Sequence, residues 1–440
     1  METPAEAMTH LLAFGRKKLR AMSSRSYRVV SPSTNTSSAP LNSVVEFKIP
    51  GNQMAAFLDN NSCYFKFNVK NNKADQTFTF EGKAGAYGLI KKFEILTAGQ
   101  TIDTIDEYGV LFSAMADTDS STLYAENNGK ILYGADSGAR AGTTNGLNVL
   151  TGTAGNNPTR VVCLPLVLNS LANSRKYIPL FSRDNLTIRL TLNDVVNAGI
   201  SANDSAIANT EIVLDQPELV YNVVELSADA FQAVSASVDN VFQIVSDTYR
   251  HTSSNVDATE NQTHIANLGF AFSSLNRVII CQRQSDIMTR TNAVLGNRCV
   301  RALNQANLLL NGASIPERPI KISASCATAL AETLVADRSL VAYDSISRVG
   351  DGAGYNAGTP NGASDAATGA FVLQIDTESM RSESDDPGIY AGVSTIGSVL
   401  QAQLEYGAGD NVPIKLDFFA QYTQLLTLDM NASQTFIASV

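Results

Sequence analysis

Short runs of alternating apolar and polar residues dominate this chain from residue 44 onward. The clearest run is residues 186–192, where leucine and isoleucine alternate with threonine and arginine, and residues 45–49, 64–69 and 77–80 follow the same pattern. Successive side chains of a strand point to opposite faces of a sheet, so this period of two predicts half-buried β-strands. Further strands are predicted at residues 219–226, 241–245 and 275–280.

One strand–turn–strand pattern occurs twice, 213 positions apart. Residues 93–102 read FEILTAGQTI and residues 306–315 read ANLLLNGASI, so an ungapped alignment places Gly99 on Gly312. The distance is close to half the chain and far exceeds the roughly 20–50 residues of a solenoid unit. The pattern therefore predicts a duplicated domain. The alternative is two unrelated β domains that share only common strand and turn residues.

The order of features after each copy supports the duplication. Each copy is followed by a long stretch rich in Gly, Ser, Asn and Thr, then by an apolar run, and later by a proline-containing segment that precedes another strand. The matched pairs are residues 117–160 with 345–369, 161–168 with 370–375, and 186–192 with 416–428.

Residues 3–22 are the strongest helix candidate. Thr3, Pro4 and Glu6 fit a capping box with proline at the first helical position, and apolar residues recur at helical spacing after them. Residues 23–43 are rich in serine and proline, which predicts an extended linker. Short helices are also predicted at residues 106–116, 227–233 and 327–336.

Charge is unevenly distributed along the chain. The total is −10, yet residues 1–30 carry six basic and two acidic residues, a net +4 that leaves −14 for the remainder. A basic arm on an acidic body predicts that the arm meets an anionic partner. An anionic membrane surface, nucleic-acid phosphates and a neighbouring subunit all fit, and the alternative is a helix packed on its own protein with a solvated basic face. The six residues are Arg16, Lys17, Lys18, Arg20, Arg25 and Arg28.

Composition places the chain among globular proteins. It is 44% hydrophobic and 17% charged, which allows sizeable cores, and its length predicts two to three domains. Abundant Asn, Ser, Thr, Ala and Gly, with no Trp, suit many strands joined by polar loops. No apolar run approaches the roughly 20 residues of a membrane-spanning helix, and no secretory signal peptide is expected.

The pattern of reactive residues predicts no catalytic, cofactor or metal site. The five cysteines lack CxxC or Cys/His spacing, so free buried thiols in a reducing compartment are expected. Of the three histidines, His10, His251 and His264, two are expected in loops or helices without a Ser/Asp arrangement nearby. The glycine-rich residues 350–358 match no phosphate-binding motif, and the acidic residues 376–386 lack the spacing of an EF-hand.

Several segments resemble double jelly-roll major capsid proteins of the adenovirus, tectivirus and polinton-like virus lineage. Residues 47–51 (FKIPG) and 57–67 (FLDNNSCYFKF) are similar to the strand, IPG turn and second strand that open the first jelly roll of that family. Residues 89–108 resemble its strand–glycine–strand–tyrosine element, and residues 177–180 (YIPL) fit as well. The resemblance spans most of residues 44–430 and includes no catalytic signature.

The resemblance implies an all-β fold of two tandem eight-stranded jelly-roll sandwiches, with short helices and an N-terminal arm. The implied divisions are residues 1–43 for the arm, 44–233 for the first jelly roll and 234–440 for the second. Three such chains would form a pseudo-hexameric homotrimeric capsomer that tiles an icosahedral shell. Relatives often enclose an internal membrane and a double-stranded DNA genome.

The sequence as a whole predicts a non-enzymatic major capsid protein, assembled inside the host cell and located in the virion. Its expected partners are further copies of itself, neighbouring capsomers, penton and minor capsid proteins and, through the arm, an internal membrane or genomic DNA. One alternative is a viral spike, fibre or adhesin-like β protein. Another is a jelly-roll carbohydrate-active enzyme, which usually needs paired carboxylates and aromatic platforms, and the absence of Trp counts against it.

Overall fold

The fold is known from a computed structural model, and all structural statements refer to the residues that it describes. These are residues 23–35, 37–73, 77–80, 84–97, 99–119, 149–151, 159–174, 176–181, 185–201, 208–257, 263–284, 303–322, 327–336, 371–378, 392–406, 413–429 and 434–439. The predicted helix at 3–22, the glycine-rich segment 350–358 and most of the segments 117–160 and 345–369 lie outside them.

The first half of the chain forms a β-sandwich. Its strands are β1 (Ser23–Val30), β2 (Ser38–Pro40), β3 (Val44–Ile49), β4 (Ala56–Asn71), β5 (Thr77–Phe80), β6 (Ile90–Thr97), β7 (Gln100–Asp106), β8 (Val149–Thr151), β9 (Thr159–Pro165), β10 (Ile178–Pro179), β11 (Leu186–Leu192), β12 (Gly199–Ser201) and β13 (Ile212–Leu226). One sheet has the strand order β1-β13-β4-β10, with β2 beside β13 and β9 beside β4, and the facing sheet has the order β3-β11-β6-β7. A small sheet, β12-β5-β8, accompanies this sandwich.

The second half forms another sandwich. Its strands are β14 (Val241–Val256), β15 (Thr263–Asn267), β16 (Leu275–Gln284), β17 (Leu303–Leu310), β18 (Ala313–Lys321), β19 (Leu373–Asp376), β20 (Leu400–Tyr406), β21 (Ile414–Asp429) and β22 (Gln434–Ser439). One sheet has the order β14-β21-β16-β19 with β22 beside β21, and the facing sheet has the order β15-β20-β17-β18. We call β1-β13-β4-β10 and β14-β21-β16-β19, with their side strands, the first and second large sheets.

The two sandwiches have the same strand order. With β1 and β2 counted as the first strand and β9 and β10 as the sixth, each large sheet contains strands one, eight, three and six, and each facing sheet contains strands two, seven, four and five. This is the jelly-roll topology of eight strands in two facing sheets. The predicted fold class of two tandem jelly rolls is confirmed.

The two copies of the repeated pattern are equivalent hairpins. They are β6–β7 and β17–β18, which supply strands four and five of each jelly roll. Gly99 has φ +77° and Gly312 has φ +84°, and no atom lies within 4 Å of where a Cβ would stand at either position. The glycines are therefore required by the left-handed backbone and not by crowding.

One predicted correspondence between the halves is wrong. The sequence matched residues 186–192 with 416–428, but β11 is a seventh strand and β21 is an eighth. The counterpart of β11 is β20, and the counterpart of β21 is β13. An alternating pattern identifies a strand but carries no information about its neighbours, so it could not separate these two.

The prediction of a linker at residues 23–43 is also wrong. Strand β1 pairs with β13 along its whole length, from Ser23 opposite Leu226 to Val30 opposite Leu219, and β2 pairs with β13 farther along. The segment reads as polar because β1 is an edge strand whose side chains are mostly exposed. Residues 23–40 therefore belong to the first sandwich.

Three of the four described α-helices lie where the sequence predicted them, and the four-residue helix at residues 195–198 was not predicted. We number them α1 (Tyr108–Asp119), α2 (Val195–Ala198), α3 (Ala228–Ser237) and α4 (Ala327–Ala336), and a 3-10 helix spans Ala86–Leu89. Helices α1 and α4 each follow the fifth strand of their jelly roll. Helix α3 connects the two sandwiches, and the Ser227 side chain caps it by accepting a hydrogen bond from the Ala230 backbone N–H.

The second large sheet is covered on both faces. Along β21, Phe418 and Ala420 face the interior of the second sandwich, whereas Phe419 packs into the apolar cluster that extends into the first. Ile279 and Cys281 of β16 join that cluster too. The outer face of this sheet is therefore the surface through which the two sandwiches meet.

Candidate functional site

Two of the predicted contact residues lie on β1 and pair with carboxylates of the chain itself. Arg25 Nη2 lies 2.5 Å from Asp59 Oδ2. Arg28 Nη2 lies 2.8 Å from Glu225 Oε1, and its Nη1 donates to Gln53 Oε1 at 2.6 Å. Their charges are thus partly balanced within the first sandwich. The other four predicted residues, Arg16, Lys17, Lys18 and Arg20, lie outside the described residues.

The outer face of the first large sheet carries exposed apolar side chains. Tyr27 is 63% exposed, Val29 46% and Val161 52%. Val29 and Tyr64 both stand opposite Val220, which places them on one face, and the Tyr27 and Tyr64 hydroxyls lie 3.5 Å apart. Exposed apolar groups collected on one sheet face are typical of an interaction surface. We call Tyr27, Val29, Tyr64 and Val161 the outer patch.

An aromatic cluster fixes the junction between the sandwiches at helix α3. Phe57 of β4 and Phe181 contact Phe242 of β14, with ring centroids 6.2 and 4.8 Å apart. Phe231 of α3 contacts Phe57 and Phe181 at 6.4 and 5.7 Å. Aromatic pairs of this kind contribute about 0.5–1.5 kcal/mol each beyond their buried area, so the connecting helix is anchored and not a loose tether.

A buried carboxylate joins β7 to β14 across the junction. Asp103 accepts hydrogen bonds from the Ser170 backbone N–H at 2.8 Å and from Thr248 Oγ1 at 2.7 Å. Burial raises the pKa of Asp103, although these hydrogen bonds oppose the shift. Nearby, Gln424 Nε2 of β21 donates to the Ile102 carbonyl at 2.7 Å. Strand β7 is therefore held to the second large sheet by polar contacts as well as packing.

An ionic cluster lies on the same junction. Arg283 places Nε 2.5 Å from Asp417 Oδ2 and Nη2 3.2 Å from Glu107 Oε2, and Lys415 Nζ lies 2.9 Å from Glu107 Oε1. His251 Nε2 is 2.9 Å from Asp417 Oδ1. Glu107 belongs to the first half of the chain, and the other four residues belong to the second. We call these five residues the junction cluster.

The charges of the junction cluster are set by their partners. Burial alone would raise the pKa of Asp417, but Arg283 and His251 hold it well below its ordinary value. Glu107 behaves likewise: burial is overcome by Arg283 and Lys415, and the pKa is lowered. The pKa of Arg283 is raised because Asp417 and Glu107 outweigh its burial. The cluster therefore holds compensated charges, which cost stability when one partner is removed.

The histidines do not lie where the sequence placed them. His251 is on β14 and His264 on β15, where its Nε2 lies 2.9 Å from Ser254 Oγ, and His10 is outside the described residues. The expectation of two histidines in loops or helices is not met. Beside Asp417, Cys281 is fully buried, and burial raises the pKa of its thiol, which suppresses the reactive thiolate. The His251–Asp417 pair thus joins two neighbouring strands of the second large sheet, β14 and β21.

Sequence reasoning missed Asp103, Glu107 and Asp417. One signal was present for Asp417, which lies among Leu416, Phe418 and Phe419 in a run that is otherwise apolar. A carboxylate in such a run is buried and needs a partner. No comparable signal marks Asp103 or Glu107.

In the described part of the chain, no group of three or more His, Cys, Asp and Glu side chains is arranged to hold a metal ion. No described helix combines the length and apolar character needed to cross a membrane.

Solved structures share this architecture although no family model and no curated protein matches the sequence. VP54 of PBCV-1, in the form fitted to a reconstruction of the virophage Sputnik, superposes with a TM-score of 0.62 at 12% identity, covering 97% of this chain and 100% of that chain. The Faustovirus major capsid protein gives 0.55 at 10% identity, covering 96% and 93%. The mavirus major capsid protein gives 0.52 at 12%, covering 94% and 90%.

The chain has the double jelly-roll fold of viral major capsid proteins. The resemblance predicted from the sequence is thereby confirmed for the fold. At 10–12% identity these structures share backbone topology with this double jelly roll, and its junction cluster and outer patch have to be judged on their own chemistry.

Proposed function

We propose that this double jelly roll is a structural, non-enzymatic major capsid protein. Three copies form a pseudo-hexameric homotrimeric capsomer, and capsomers tile the icosahedral shell of a virion. The observation that carries the proposal is the tandem fold, which matches capsid proteins over nearly the full length of both chains.

The contact between the two sandwiches of one chain offers a template for contacts between chains. Within the chain, the second large sheet covers β7, where Ile102 and Asp103 are buried. The repeat places Ile315 and Pro316 of β18 at the equivalent positions, and both are half-exposed. The outer patch is likewise the uncovered counterpart of the buried outer face of the second large sheet. Each chain thus retains one unused copy of both contacting surfaces.

A threefold ring would use both free surfaces. The outer patch of one chain would meet the β18 side of the next, repeating between chains the contact that exists within each chain. Such head-to-tail contacts close into a ring when the rotation between copies fits. Six sandwiches would then be joined by six similar contacts, which is how a trimer of two-lobed chains resembles a hexamer.

The proposal also assigns partners and location. Capsomers contact one another and the penton and minor capsid proteins. Arg16, Lys17, Lys18 and Arg20 contact an internal membrane or genomic DNA, since each basic residue near an anionic membrane contributes about 1 kcal/mol. The protein assembles inside the host cell and is located in the virion.

Light scattering and electron microscopy of the purified full-length protein test the proposal. The expected particle has three times the monomer mass, threefold symmetry and six lobes. A monomer at every accessible concentration would contradict the proposal. An elongated fibre would favour the spike or adhesin alternative, and turnover of a glycan would favour the carbohydrate-active enzyme.

A further inference from the structure

A cavity of about 400 Å³ opens beside the junction of the two sandwiches. Its volume is within the range of small-molecule sites, about 300–1,000 Å³. The residues that define its chemistry come from both halves of the chain: Thr101 of β7, Arg250 of β14, Phe270 and Phe272 of the β15–β16 connection, and Tyr422 and Gln424 of β21.

Gln424 lines this cavity and carries a buried acceptor without a partner among the described residues. The residue is 2% exposed, and its Nε2 is committed to the Ile102 carbonyl. Its Oε1 accepts no hydrogen bond from any residue that the structure describes. Buried amide oxygens in folded proteins are normally paired, so this atom favours a ligand with an O–H or N–H donor.

Arg250 presents an unused cation. Its side chain is exposed, and among the described residues it has no salt bridge or hydrogen-bond partner. Arg283, at the same junction, is ion-paired with Asp417 and Glu107. In a chain of net charge −10, an unpaired guanidinium at a cavity favours an anionic ligand, and a planar carboxylate matches its geometry.

Three aromatic rings form the third feature of the cavity. Phe272 stacks on Tyr422 with centroids 3.9 Å apart and rings 5° from parallel, and Phe270 stacks on Phe272 at 5.8 Å. The ring faces that this stacking leaves uncovered carry negative potential, so they attract the weakly positive C–H groups of a ligand. The neighbouring Thr101 hydroxyl and the exposed backbone at Gly269 add polar groups to the rim.

We propose that this cavity binds a carboxylated sugar of the sialic or uronic acid type. The carboxylate pairs with Arg250, a ring hydroxyl or acylamino N–H donates to Gln424 Oε1, and the C–H face of the ring packs beside the aromatic side chains. A neutral sugar leaves Arg250 unpaired, and a simple carboxylate leaves Gln424 unpaired. This inference goes beyond the proposed capsid role and does not depend on it.

Saturation-transfer NMR with the full-length protein tests the inference. The probes are N-acetylneuraminic acid, glucuronic acid, neutral N-acetylglucosamine, and N-acetylphenylalanine as a peptide-like carboxylate. The acidic sugars are expected to bind about tenfold or more tightly than the neutral sugar, because the charge-assisted bond to Arg250 is lost in the latter. Arg250→Gln is expected to weaken the acidic sugars by a similar factor.

Lys91→Gln is the matched control, since it removes an exposed positive charge of β6 that does not line the cavity. Gln424→Leu should also weaken binding, and because it removes the bond to Ile102 its melting temperature is checked first. If that variant does not fold, the Arg250→Gln comparison decides.

Equal binding by Arg250→Gln and wild type, equal binding of the neutral sugar, or no detectable binding would overturn the inference. Tighter binding of N-acetylphenylalanine would overturn it too, by assigning the cavity to peptides. All readouts are made in solution, so a chain that fails to trimerise still reports on the cavity.

Discussion

The two large sheets have the same strand order but opposite surroundings. On the eighth strand of the second sheet, Asp417 and Phe419 point outward and are fully buried at the junction. On the eighth strand of the first sheet, Glu218 points outward and forms a half-exposed ion pair with Lys66 at 3.3 Å. The two halves share one topology, whereas their outward residues differ according to what covers them. A shared fold therefore says little about which faces of the two halves resemble one another.

Removing one charge from each eighth strand should expose this difference most strongly. Asp417→Ala is expected to lower the free energy of unfolding by about 3–5 kcal/mol, because it leaves Arg283 buried without its main partner. Glu218→Ala, the matched control, removes a surface ion pair and should cost about 0.2–1 kcal/mol. Denaturant titration of both variants makes the comparison, and equal losses would mean that removing Asp417 does not leave a buried, uncompensated charge on Arg283.

The pH dependence of stability should separate the three junction carboxylates into two groups of opposite sign. The lowered pKa values of Asp417 and Glu107 give stability that is present above their unfolded pKa and lost as pH falls through the folded pKa. The raised pKa of Asp103 acts oppositely: its contribution grows as pH falls and is lost as pH rises through the folded pKa. The free energy of unfolding, measured between about pH 3 and pH 8, should therefore decrease less toward high pH in Asp103→Asn than in wild type. An unchanged profile in that variant would indicate that Asp103 does not titrate with folding.

Truncations should distinguish the arm from the first strand. Deleting residues 1–30 removes β1 and several of its backbone hydrogen bonds to β13, each with a net worth of about 0.5–1.5 kcal/mol, so a loss of about 3 kcal/mol is expected. Deleting residues 1–22 leaves β1 in place and should preserve thermal stability while reducing binding to anionic vesicles or DNA. Thermal melts and vesicle co-sedimentation test both, and an equal loss of stability would place the arm in the fold.

The sequence patterns underestimated the length of strands that contain polar segments. Both ends of β11 were predicted correctly because its alternation is unbroken. Strand β4 was predicted only over residues 64–69, although it spans Ala56–Asn71. Asp59 and Asn60 interrupt its apolar pattern, and Asn60 is satisfied by the Leu171 and Ser174 carbonyls, each at 2.7 Å. Partners more than 100 residues away cannot be read from a local pattern.

The candidate sites, too, depend on partners that are distant in the sequence and cannot be identified from a local pattern. Glu107 and Lys415 are 308 positions apart, and Asp103 and Thr248 are 145 apart. Each carboxylate looks like an ordinary surface residue until the topology brings its partner to it. The charge asymmetry of the N-terminus was visible at once, yet Arg25 and Arg28 turned out to be paired within the first sandwich. Composition predicts that a charge exists, and only the fold determines whether it is free.

A charge placed in the outer patch should test whether that surface is the unused copy of the junction contact. Val161→Glu is expected to weaken trimer formation about tenfold or more, because burying an unpaired carboxylate at an interface is unfavourable. The matched control is Ile265→Glu, a similarly exposed position on β15 of the second sandwich that lies outside the outer patch. Sedimentation velocity should show dissociation of the first variant alone, with both melting as wild-type monomers do. Dissociation of both variants, or of neither, would contradict the assignment of the outer patch.

The smallest expected effect concerns the feature in which the halves are most alike. Gly99→Ala and Gly312→Ala each place a Cβ on a left-handed backbone, at a cost of about 1–2 kcal/mol. Neither position has an atom within 4 Å of the new Cβ, so the cost should be purely conformational and nearly equal in the two variants. Denaturant titration of both single variants measures it. A marked inequality would mean that the two hairpins relax differently around the new side chain.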